Sequence, residues 1–312
     1  MSTRLIHTAQ ALVDYLVNVP ALPKRGRNIV ATDHALYAGG AVTVLTAAAY
    51  SGAGCVLAGS VGTGPYATLV RSALAEAGVT VSSPAIKDMD TGVCLVFIEP
   101  TAERTFITIQ GAERVISEQS LSAADPQPGD IVAVSGYTLQ GVTGAPLLAW
   151  LASLPHGVEV MLDPGAAFSE LDDATQEAAL ELTTMWTSNA EEAASLVGDG
   201  DMMESPAKIA ARLPIGTIVI VRDGPAGCAV YQNGYTTKVP GFPQKPIDTN
   251  GAGDTHTGVM AAEILAGTNL ITAAQRANAA GALKVTHHGL GRTPRRADIS
   301  AFLALNDAGE GR

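Results

Sequence analysis

The sequence predicts an α/β protein in which helices cover both faces of a mostly parallel β-sheet, and three observations lead to this prediction. Short, continuous apolar runs alternate along the chain with segments of helical pattern, as expected for strands buried between two layers of helices. Apolar residues make up 47% of the 312 residues but aromatic residues only 4%, and small side chains suit close packing of helices on a sheet. A β-hairpin after residue 92 interrupts the alternation and predicts a second, smaller sheet.

The first 112 residues contain the beginning of the alternation and the hairpin. The predicted elements, in order, are a strand over 5–19, a turn over 20–26, a helix over 39–51, a strand over 55–60, a helix over 65–77, and hairpin strands over 92–99 and 104–110.

From residue 130 the alternation resumes, and the last third of the chain is helical. Strands are predicted over 131–135, 158–162, 185–187 and 217–221, with helices over 142–153, 174–183, 190–197 and 206–213. Asn233-Gly234 predicts a two-residue hairpin between strands 228–232 and 235–239. The remaining helices are predicted over 253–266, 271–286 and 296–305.

The charge balance argues against nucleic acid or an anionic membrane as a partner. The net charge is −11 and the pI about 4.9, whereas both partners require basic patches. The three cysteines are widely spaced in apolar runs, which favours buried free thiols in a reducing compartment. No signal peptide and no run of 18 apolar residues is recognisable, so the sequence predicts a cytoplasmic protein.

The most informative stretch is Asp248-Thr249-Asn250-Gly251-Ala252-Gly253-Asp254-Thr255, which opens a predicted amphipathic helix. Glycines allow several backbone N–H groups to point at one spot, and the helix N-terminus adds positive partial charge there. Such a site suits a phosphoryl group in transfer, and Asp254 beside it can accept a hydroxyl proton. A glycine-rich turn capped by an acid fits the same residues, so the spacing alone leaves both interpretations open.

This stretch resembles the D-T-x-G-A-G-D pattern of the ribokinase-like (PfkB) carbohydrate kinases, and the resemblance extends over about residues 10–300. Four further segments resemble family patterns in the right order: Gly39-Gly40 before an Ala-rich helix, Asn189 to Glu192 (N-x-x-E), Arg222 to Gly227 (T-x-G-x-x-G), and Asn278 to Ala282 in the helix that lines the adenine pocket. The resemblance implies a single domain over 1–312 with a three-layer α/β/α sandwich. It also implies a small β-sheet lid built from about 12–36 and 88–112, through which two copies form a homodimer.

The resemblance further implies a role for each matching residue. Asp254 is the catalytic base, and the N–H groups of Gly251, Ala252 and Gly253 form the anion hole. The implied acceptor-binding residues are Asp14, Gly39, Gly40 and Asp254. The implied nucleotide-binding residues are Asn189, Arg222, Gly224, Gly227 and Asn278. Glu192 organises Mg²⁺ through water, and Asp248 shapes a site for a monovalent cation such as K⁺.

Three departures from the family patterns fall mainly on the sugar side. Val44 stands where a substrate-binding Asn is common, and Gly64 stands where V-G-x-D-x-x-G has its Asp. The middle-strand pattern D-x-N-x-R begins at Asp163 but lacks its Arg. These departures indicate retained ATP chemistry with an altered acceptor.

The predicted function is therefore ATP-dependent phosphorylation of a primary hydroxyl of a sugar or sugar-like molecule. A nucleoside or pseudouridine kinase is the main alternative, although aromatic residues that could surround a base are few. A non-catalytic sugar or nucleotide sensor on the same fold is a further alternative, which loss of Asp254 would favour. A Rossmann dehydrogenase is disfavoured, because the loop at Gly62 and Gly64 contains Pro65 and no acid follows at the required distance.

Overall fold

The predicted strands form one large and one small sheet in the computed structural model, which describes residues 3–101, 103–287, 289 and 292–310, with 307–310 for their backbone alone. The strands are β1 Arg4–His7, β2 Ala11–Asn18, β3 Asp33–Gly40, β4 Gly54–Leu57, β5 Thr80–Val81, β6 Val93–Ile98, β7 Arg104–Ile109, β8 Ile131–Ser135, β9 Glu159–Asp163, β10 Met185–Asn189, β11 Ile218–Arg222, β12 Gly227–Gln232 and β13 Tyr235–Pro240. The helices are α1 Ala41–Tyr50, α2 Pro65–Glu76, α3 Glu118–Ser122, α4 Gly136–Leu139, α5 Gly144–Ala152, α6 Asp173–Leu182, α7 Ala190–Val197, α8 Ser205–Ala210, α9 Ala252–Leu265, α10 Leu270–Lys284 and α11 Arg296–Glu310.

The large sheet is mostly parallel, which confirms the predicted fold class. Its strand order is β13-β12-β11-β10-β9-β8-β1-β4-β5. The pairs from β11 to β5 are parallel, whereas β12 and β13 extend one edge as an antiparallel hairpin. The hairpin turns at Asn233 and Gly234, which have φ values of 53° and 88°, as a two-residue turn of the predicted kind requires.

Alternate residues of the parallel strands enter opposite helical layers, so the sheet is buried on both faces. Leu5 and Met161 belong to the cluster packed by α1, α2 and α9. Leu162 and Trp186 belong to the cluster on the other face, which also contains Trp150 of α5. Trp186 and Trp150 are 0% and 2% exposed, so this second layer holds both tryptophans in its interior.

The small sheet has the strand order β3-β2-β6-β7, and it corrects the prediction of one strand over 5–19. That segment is two strands, because the chain leaves the large sheet at Thr8 and enters the small sheet at Ala11. The Thr8 N–H and hydroxyl both donate to the Ala133 carbonyl at 3.0 Å, which ends the pairing of β1. The Gln10 carbonyl accepts from the Ala41 N–H at 3.0 Å, which ties the crossing to the start of α1.

Two further predictions are corrected by burial and by strand length. The helix after Gly251 is not amphipathic: its residues 255–263 are all buried, because α9 packs between α1 and α10. The predicted helix over 39–51 begins only at Ala41, since Gly39 and Gly40 end strand β3.

Within the part of the chain that the structure describes, no helix is both long and apolar enough to cross a membrane.

Candidate active site

The carboxyl ends of three neighbouring parallel strands bring polar residues to one edge of the large sheet. Asp163, Asn189 and Arg222 are the last residues of β9, β10 and β11, respectively, and Asn189 pairs with Arg222 in the ladder. The predicted strands stopped one or two residues short of these positions, because the apolar pattern ends where the site begins. The crevice beyond the carboxyl ends of such strands is where open α/β sheets bind their ligands.

Arg222 is the central cation of this edge, with a side chain only 11% exposed. Its Nη1 donates to the hydroxyls of Thr187 at 2.8 Å and Thr257 at 2.7 Å. Both Nη1 and Nη2 lie 3.3 Å from Oδ2 of Asp163, and Nη2 lies 3.8 Å from Oε2 of Glu192. The guanidinium is therefore held in place by hydroxyls and carboxylates from several elements.

The predicted anion cradle lies directly beside this guanidinium. Gly251 has a φ of 71° and is the N-cap of α9, a left-handed conformation that favours glycine. Among the described residues, no protein oxygen accepts a hydrogen bond from the N–H of Gly251 or Gly253. The Ala252 N–H instead donates to the Thr249 carbonyl at 3.3 Å. A methyl group placed on Gly253 would lie 3.6 Å from Arg222 Nη2, so the cradle and the cation can face one anion together.

Asp254 follows the cradle in the first turn of α9, and its surroundings raise the pKa of its carboxyl. Burial raises the pKa of its carboxyl to about 7, with repulsion from Asp163 as the next cause. Asp14 and Glu192 raise this pKa further, whereas Arg222 lowers it. A pKa near neutrality suits a group that must accept and release a proton.

The predicted acceptor-binding residues lie on the small sheet. Burial raises the pKa of the Asp14 carboxyl, on β2, to about 6. A side chain on Gly39 would begin 2.0 Å from Asp14 Oδ2, so the glycine leaves the space that this carboxylate fills. Gly40 has a φ of 59°, and a Cβ there would lie 2.4 Å from the Gln10 carbonyl. The glycine pair therefore serves close backbone approach where β3 passes into α1.

The N-x-x-E segment forms a capping box at the start of α7. Asn189 Oδ1 accepts from the Glu192 N–H at 2.8 Å, and Glu192 Oε2 accepts from the Asn189 N–H at 2.8 Å. Such reciprocal pairing satisfies two backbone donors of a helix N-terminus. It also fixes the Glu192 carboxylate beside Arg222. Burial raises the pKa of Glu192, with Asp163 adding to the increase and Arg222 opposing it.

The other predicted nucleotide-binding residues lie around the β11–β12 turn and on α10. Gly224 and Gly227 have φ values of 48° and 99°, and Gly227 lies against the backbone of Val239 and Gly241. Asn278 is 8% exposed, and its amide donates to the Val239 carbonyl at 3.1 Å and contacts His256 Nε2 at 3.1 Å. The Asn278 side chain thus joins α10 to β13 and α9.

The carboxylates of Glu192 and Asp163 fit a weakly held Mg²⁺. Across the described residues no group of three or more histidine, cysteine or carboxylate side chains is arranged to hold a metal ion. Mg²⁺ commonly retains several waters and is bound by one or two carboxylates together with substrate phosphates. The two carboxylates beside Arg222 match that donor set.

Asp248 does not match the donor set of a monovalent-cation site. Its Oδ1 accepts from Arg104 Nη2 at 2.6 Å and from the Asn250 N–H at 2.9 Å, and its Oδ2 accepts from the Gly289 N–H at 2.9 Å. N–H donors therefore occupy both carboxylate oxygens. Burial is the largest single influence on the pKa of Asp248 and acts to raise it. The N–H groups of Asn250 and Gly289 and the Arg104 guanidinium together outweigh burial and lower this pKa.

Sequence reasoning missed several residues that the fold brings to the site. Thr187 and Thr257 support Arg222 through single hydroxyls, and no sequence pattern marked them. Asp90 accepts from the N–H groups of Tyr66 at 3.1 Å and Ala67 at 2.8 Å, and thereby caps α2 beside Gly64, where the family pattern has its Asp. Val44 is 5% exposed and packs in the core, so that departure is at a core position.

A comparison with family models matches residues 4–296 to the pfkB family carbohydrate kinase model. A curated relative is the uncharacterized sugar kinase YegV of Escherichia coli K12, which is 29% identical over 300 residues, covering 93% of this chain and 90% of the relative.

Solved structures show the same fold. The Arabidopsis thaliana ribokinase complexed with ribose and ATP has a TM-score of 0.82 at 22% identity, covering 97% of this chain and 99% of that chain. The Burkholderia thailandensis nucleoside kinase in complex with inosine has a TM-score of 0.76 at 20% identity, covering 96% and 98%.

Proposed function

Since the chain belongs to the pfkB family of carbohydrate kinases and is an ATP-dependent enzyme of that kind, we propose that it phosphorylates a hydroxymethyl group of a sugar or sugar-like molecule, with Asp254 as base. One observation carries this proposal. The Asp254 carboxyl, with a pKa raised to about 7, directly follows a cradle whose Gly251 and Gly253 N–H groups bind no oxygen of the described chain.

The reaction divides between Asp254 and the cradle. Asp254 accepts the proton of the attacking hydroxyl while its oxygen forms the new bond to the γ-phosphorus, and the bond to the β-phosphate oxygen breaks to release ADP. The N–H groups of Gly251 and Gly253 donate to the oxygens of the transferring group. Arg222 adds positive charge beside them, and Asp163 and Glu192 hold its guanidinium in place. Preorganised donors of this kind stabilise the charge that develops in the transition state.

The metal ion that such a transfer needs is Mg²⁺, which neutralises charge on the β- and γ-phosphates when it is bound. Glu192 and Asp163 are the residues that would hold it, Glu192 through water. The capping box with Asn189 keeps the Glu192 carboxylate in one orientation. Gly224 and Gly227 leave the backbone at the β11–β12 turn accessible to the nucleotide.

The small sheet orients the acceptor. Asp14 accepts hydrogen bonds from hydroxyl groups, and Gly39 and Gly40 contribute by letting the Asp14 carboxylate and the Gln10 carbonyl pack directly against the end of β3. The ion pair between Arg104 of β7 and Asp248 ties the small sheet to the segment that precedes the cradle. Exclusion of water from this space favours transfer to the acceptor over hydrolysis.

Nucleosides are the second acceptor class, because their ribose carries the same type of hydroxymethyl group. Tyr137 is 48% exposed, and its ring lies against Gly165, two residues after Asp163. An exposed aromatic ring beside the strand ends offers a stacking surface for a base. The test of the function must therefore include both classes.

The exposed edge of the small sheet supports a homodimer. Phe106, Ile107 and Ile109 of edge strand β7 are 60%, 52% and 54% exposed. An apolar edge strand is prone to pair with another chain. Pairing of this edge with the same edge of a second copy would give Phe106 on one face of the sheet, and Ile107 and Ile109 on the other, apolar neighbours across the new pair of strands.

The decisive experiment measures ADP release from Mg²⁺·ATP with pentoses, hexoses, ketoses, sugar acids and nucleosides. We expect one acceptor class to stimulate ADP release and Asp254→Asn to reduce kcat by roughly 10²- to 10⁴-fold, the contribution typical of a positioned general base. Asp173→Asn, at an exposed position on α6, is the matched control and should retain full activity. Near-normal turnover by Asp254→Asn would exclude this residue as the base, and ATP binding without any acceptor would favour a sensor.

A further inference from the structure

Lys284, in the last turn of α10, is a buried cation that the proposed reaction does not use. Its side chain is 1% exposed, and lysine is almost never fully buried without partners. Its Nζ donates to the Gly289 carbonyl at 2.8 Å and to the Arg292 carbonyl at 3.3 Å. The ammonium group therefore has two carbonyl partners, both from residues that follow α10.

The ammonium group is also linked through one residue to the segment that carries the cradle. Gly289, whose carbonyl accepts from Lys284, donates its N–H to Asp248 Oδ2 at 2.9 Å. Burial lowers the pKa of Lys284, whereas the carboxylates of Asp248 and Asp254 raise it. No sequence pattern had marked this position.

The oxygens of Asp248 and Val285, and the two carbonyls that Lys284 contacts, already have hydrogen-bond donors. The Val285 carbonyl accepts from the N–H groups of Ile247 at 2.7 Å and Asp248 at 3.2 Å. The Asp248 carboxylate accepts from Arg104, Asn250 and Gly289. The carbonyls of Gly289 and Arg292 accept from Lys284 itself. A metal ion here would have to displace these donors.

We propose that the Lys284 ammonium is the resident monovalent cation of this kinase, so that the enzyme needs no K⁺. An ammonium group carries the same single charge as K⁺ and donates up to three hydrogen bonds to carbonyl oxygens. Because it is covalently attached, it is present whatever the salt. The importance of this site for phosphoryl transfer rests on the proposed function. The presence of the Lys284 ammonium in the site does not.

A short chain of contacts connects Lys284 to the anion cradle. Lys284 donates to the carbonyl of Gly289 and so fixes the orientation of that residue. The N–H of Gly289 in turn donates to Asp248 Oδ2. Asp248 Oδ1 accepts from Asn250, which immediately precedes Gly251. Lys284 is accordingly a positioning residue: it holds the backbone from which the cradle projects, without touching the phosphate.

The experiment compares the wild-type chain, Lys284→Met and Lys238→Met, a control at an exposed position on β13. Each protein is measured in potassium chloride and in N-methyl-D-glucamine chloride of equal ionic strength. The two readouts, thermal midpoint and affinity for Mg²⁺ with a non-hydrolysable ATP analogue, require no acceptor. They therefore remain informative even if the proposed acceptor or base is wrong.

We expect the wild type and Lys238→Met to give the same midpoint and affinity in both salts. Lys284→Met should bind the analogue about tenfold more weakly without potassium, the scale of effect seen when a supporting residue of a bound group is lost. Potassium or ammonium chloride should restore part of both its affinity and its midpoint.

Three results would overturn the proposal. The first is a potassium-specific increase in the wild-type midpoint or affinity, which needs no variant and so remains decisive if Lys284→Met fails to fold. The second is a folded Lys284→Met that behaves like the wild type without potassium. The third is a loss in Lys284→Met that neither potassium nor ammonium reverses, because it would make Lys284 a packing residue only.

Discussion

The two sides of the proposed active site are built in different ways. On the nucleotide side, Arg222 is held by four side chains that come from β9, β10, α7 and α9. On the acceptor side, Asp14 lies on a four-stranded sheet whose edge strand β7 exposes Phe106 and Ile107 to solvent. From this difference we infer that the transfer chemistry depends on rigid strand ends, whereas acceptor choice depends on a separate, smaller sheet. The predictions below test this division.

The largest effect is expected from Arg222→Met. The substitution removes the cation beside the cradle and leaves the Asp163 and Glu192 carboxylates without their partner, which is costly for buried charges. We expect kcat to fall about 10²- to 10³-fold, as when one donor to a developing anion is removed, with a smaller change in the KM of the acceptor. Steady-state kinetics with both substrates measures this.

Arg212→Met is the control for that variant, because Arg212 pairs with Glu177 on the helical layer away from the strand ends. Arg222→Lys should recover only part of the activity, since lysine cannot reproduce the forked contacts of the guanidinium. Full activity of Arg222→Lys would show that charge alone matters at this position.

A smaller effect, confined to the acceptor, is expected from Asp14→Ala. Loss of a charged hydrogen-bond acceptor should raise the acceptor KM about 10- to 100-fold, corresponding to ~1.5–3 kcal/mol, and leave the KM of ATP unchanged. Asp33→Ala, at an exposed position at the start of β3, is the matched control. An equal effect of Asp14→Ala on both KM values would contradict the division between the two sides.

The pH dependence of the reaction should reflect the environment of Asp254. The base must be ionised to accept a proton, and the pKa of this carboxyl is raised to about 7. Activity should therefore rise with pH through about 7, and kcat/KM should fall about tenfold for each pH unit below that value. A profile that stays flat from pH 5 to 8, measured on the same acceptor, would exclude Asp254 as the titrating group.

The smallest effect on activity is expected from Ile107→Ser. The change should shift a homodimer toward monomer in analytical ultracentrifugation, because it removes a large exposed apolar side chain from β7. Turnover should change by less than about threefold, since Ile107 pairs through Leu95 with Tyr15 and so lies on the face of the small sheet opposite Asp14, and most surface substitutions are mild. A monomeric wild type would overturn the dimer proposal and leave the kinase proposal intact.

Contiguous features of the site could be predicted from the sequence. The D-T-N-G-A-G-D segment and the pair Asn189 and Glu192 each lie within one helix start, where a spacing of a few residues determines the geometry. In the folded chain the first segment contains a left-handed glycine, Gly251, and the second forms a capping box. The fold class could be predicted for the same reason, because the alternation of strands and helices is also a local pattern.

Contacts between distant segments could not be predicted from the sequence. Asp163 and Arg222 are 59 positions apart in the chain and meet only because β9, β10 and β11 are neighbours in the sheet. Asp90 similarly caps α2 from another segment, beside Gly64. Arg222 lies beside Asp163, where the D-x-N-x-R pattern lacks its Arg. Asp90 lies beside Gly64, where the V-G-x-D-x-x-G pattern lacks its Asp. A departure from a motif therefore need not remove the charge from the site.

The placement of the two tryptophans makes this protein suited to fluorescence spectroscopy. Trp150 and Trp186 are the only two in the chain, and both are buried in the helical layer beneath the strand ends. Trp186 lies three residues before Asn189, so its emission should respond to nucleotide and be insensitive to rearrangement of the small sheet. A tryptophan introduced at Phe106 would add a separate signal from the small sheet, allowing nucleotide binding and movement of that sheet to be timed independently in one stopped-flow record.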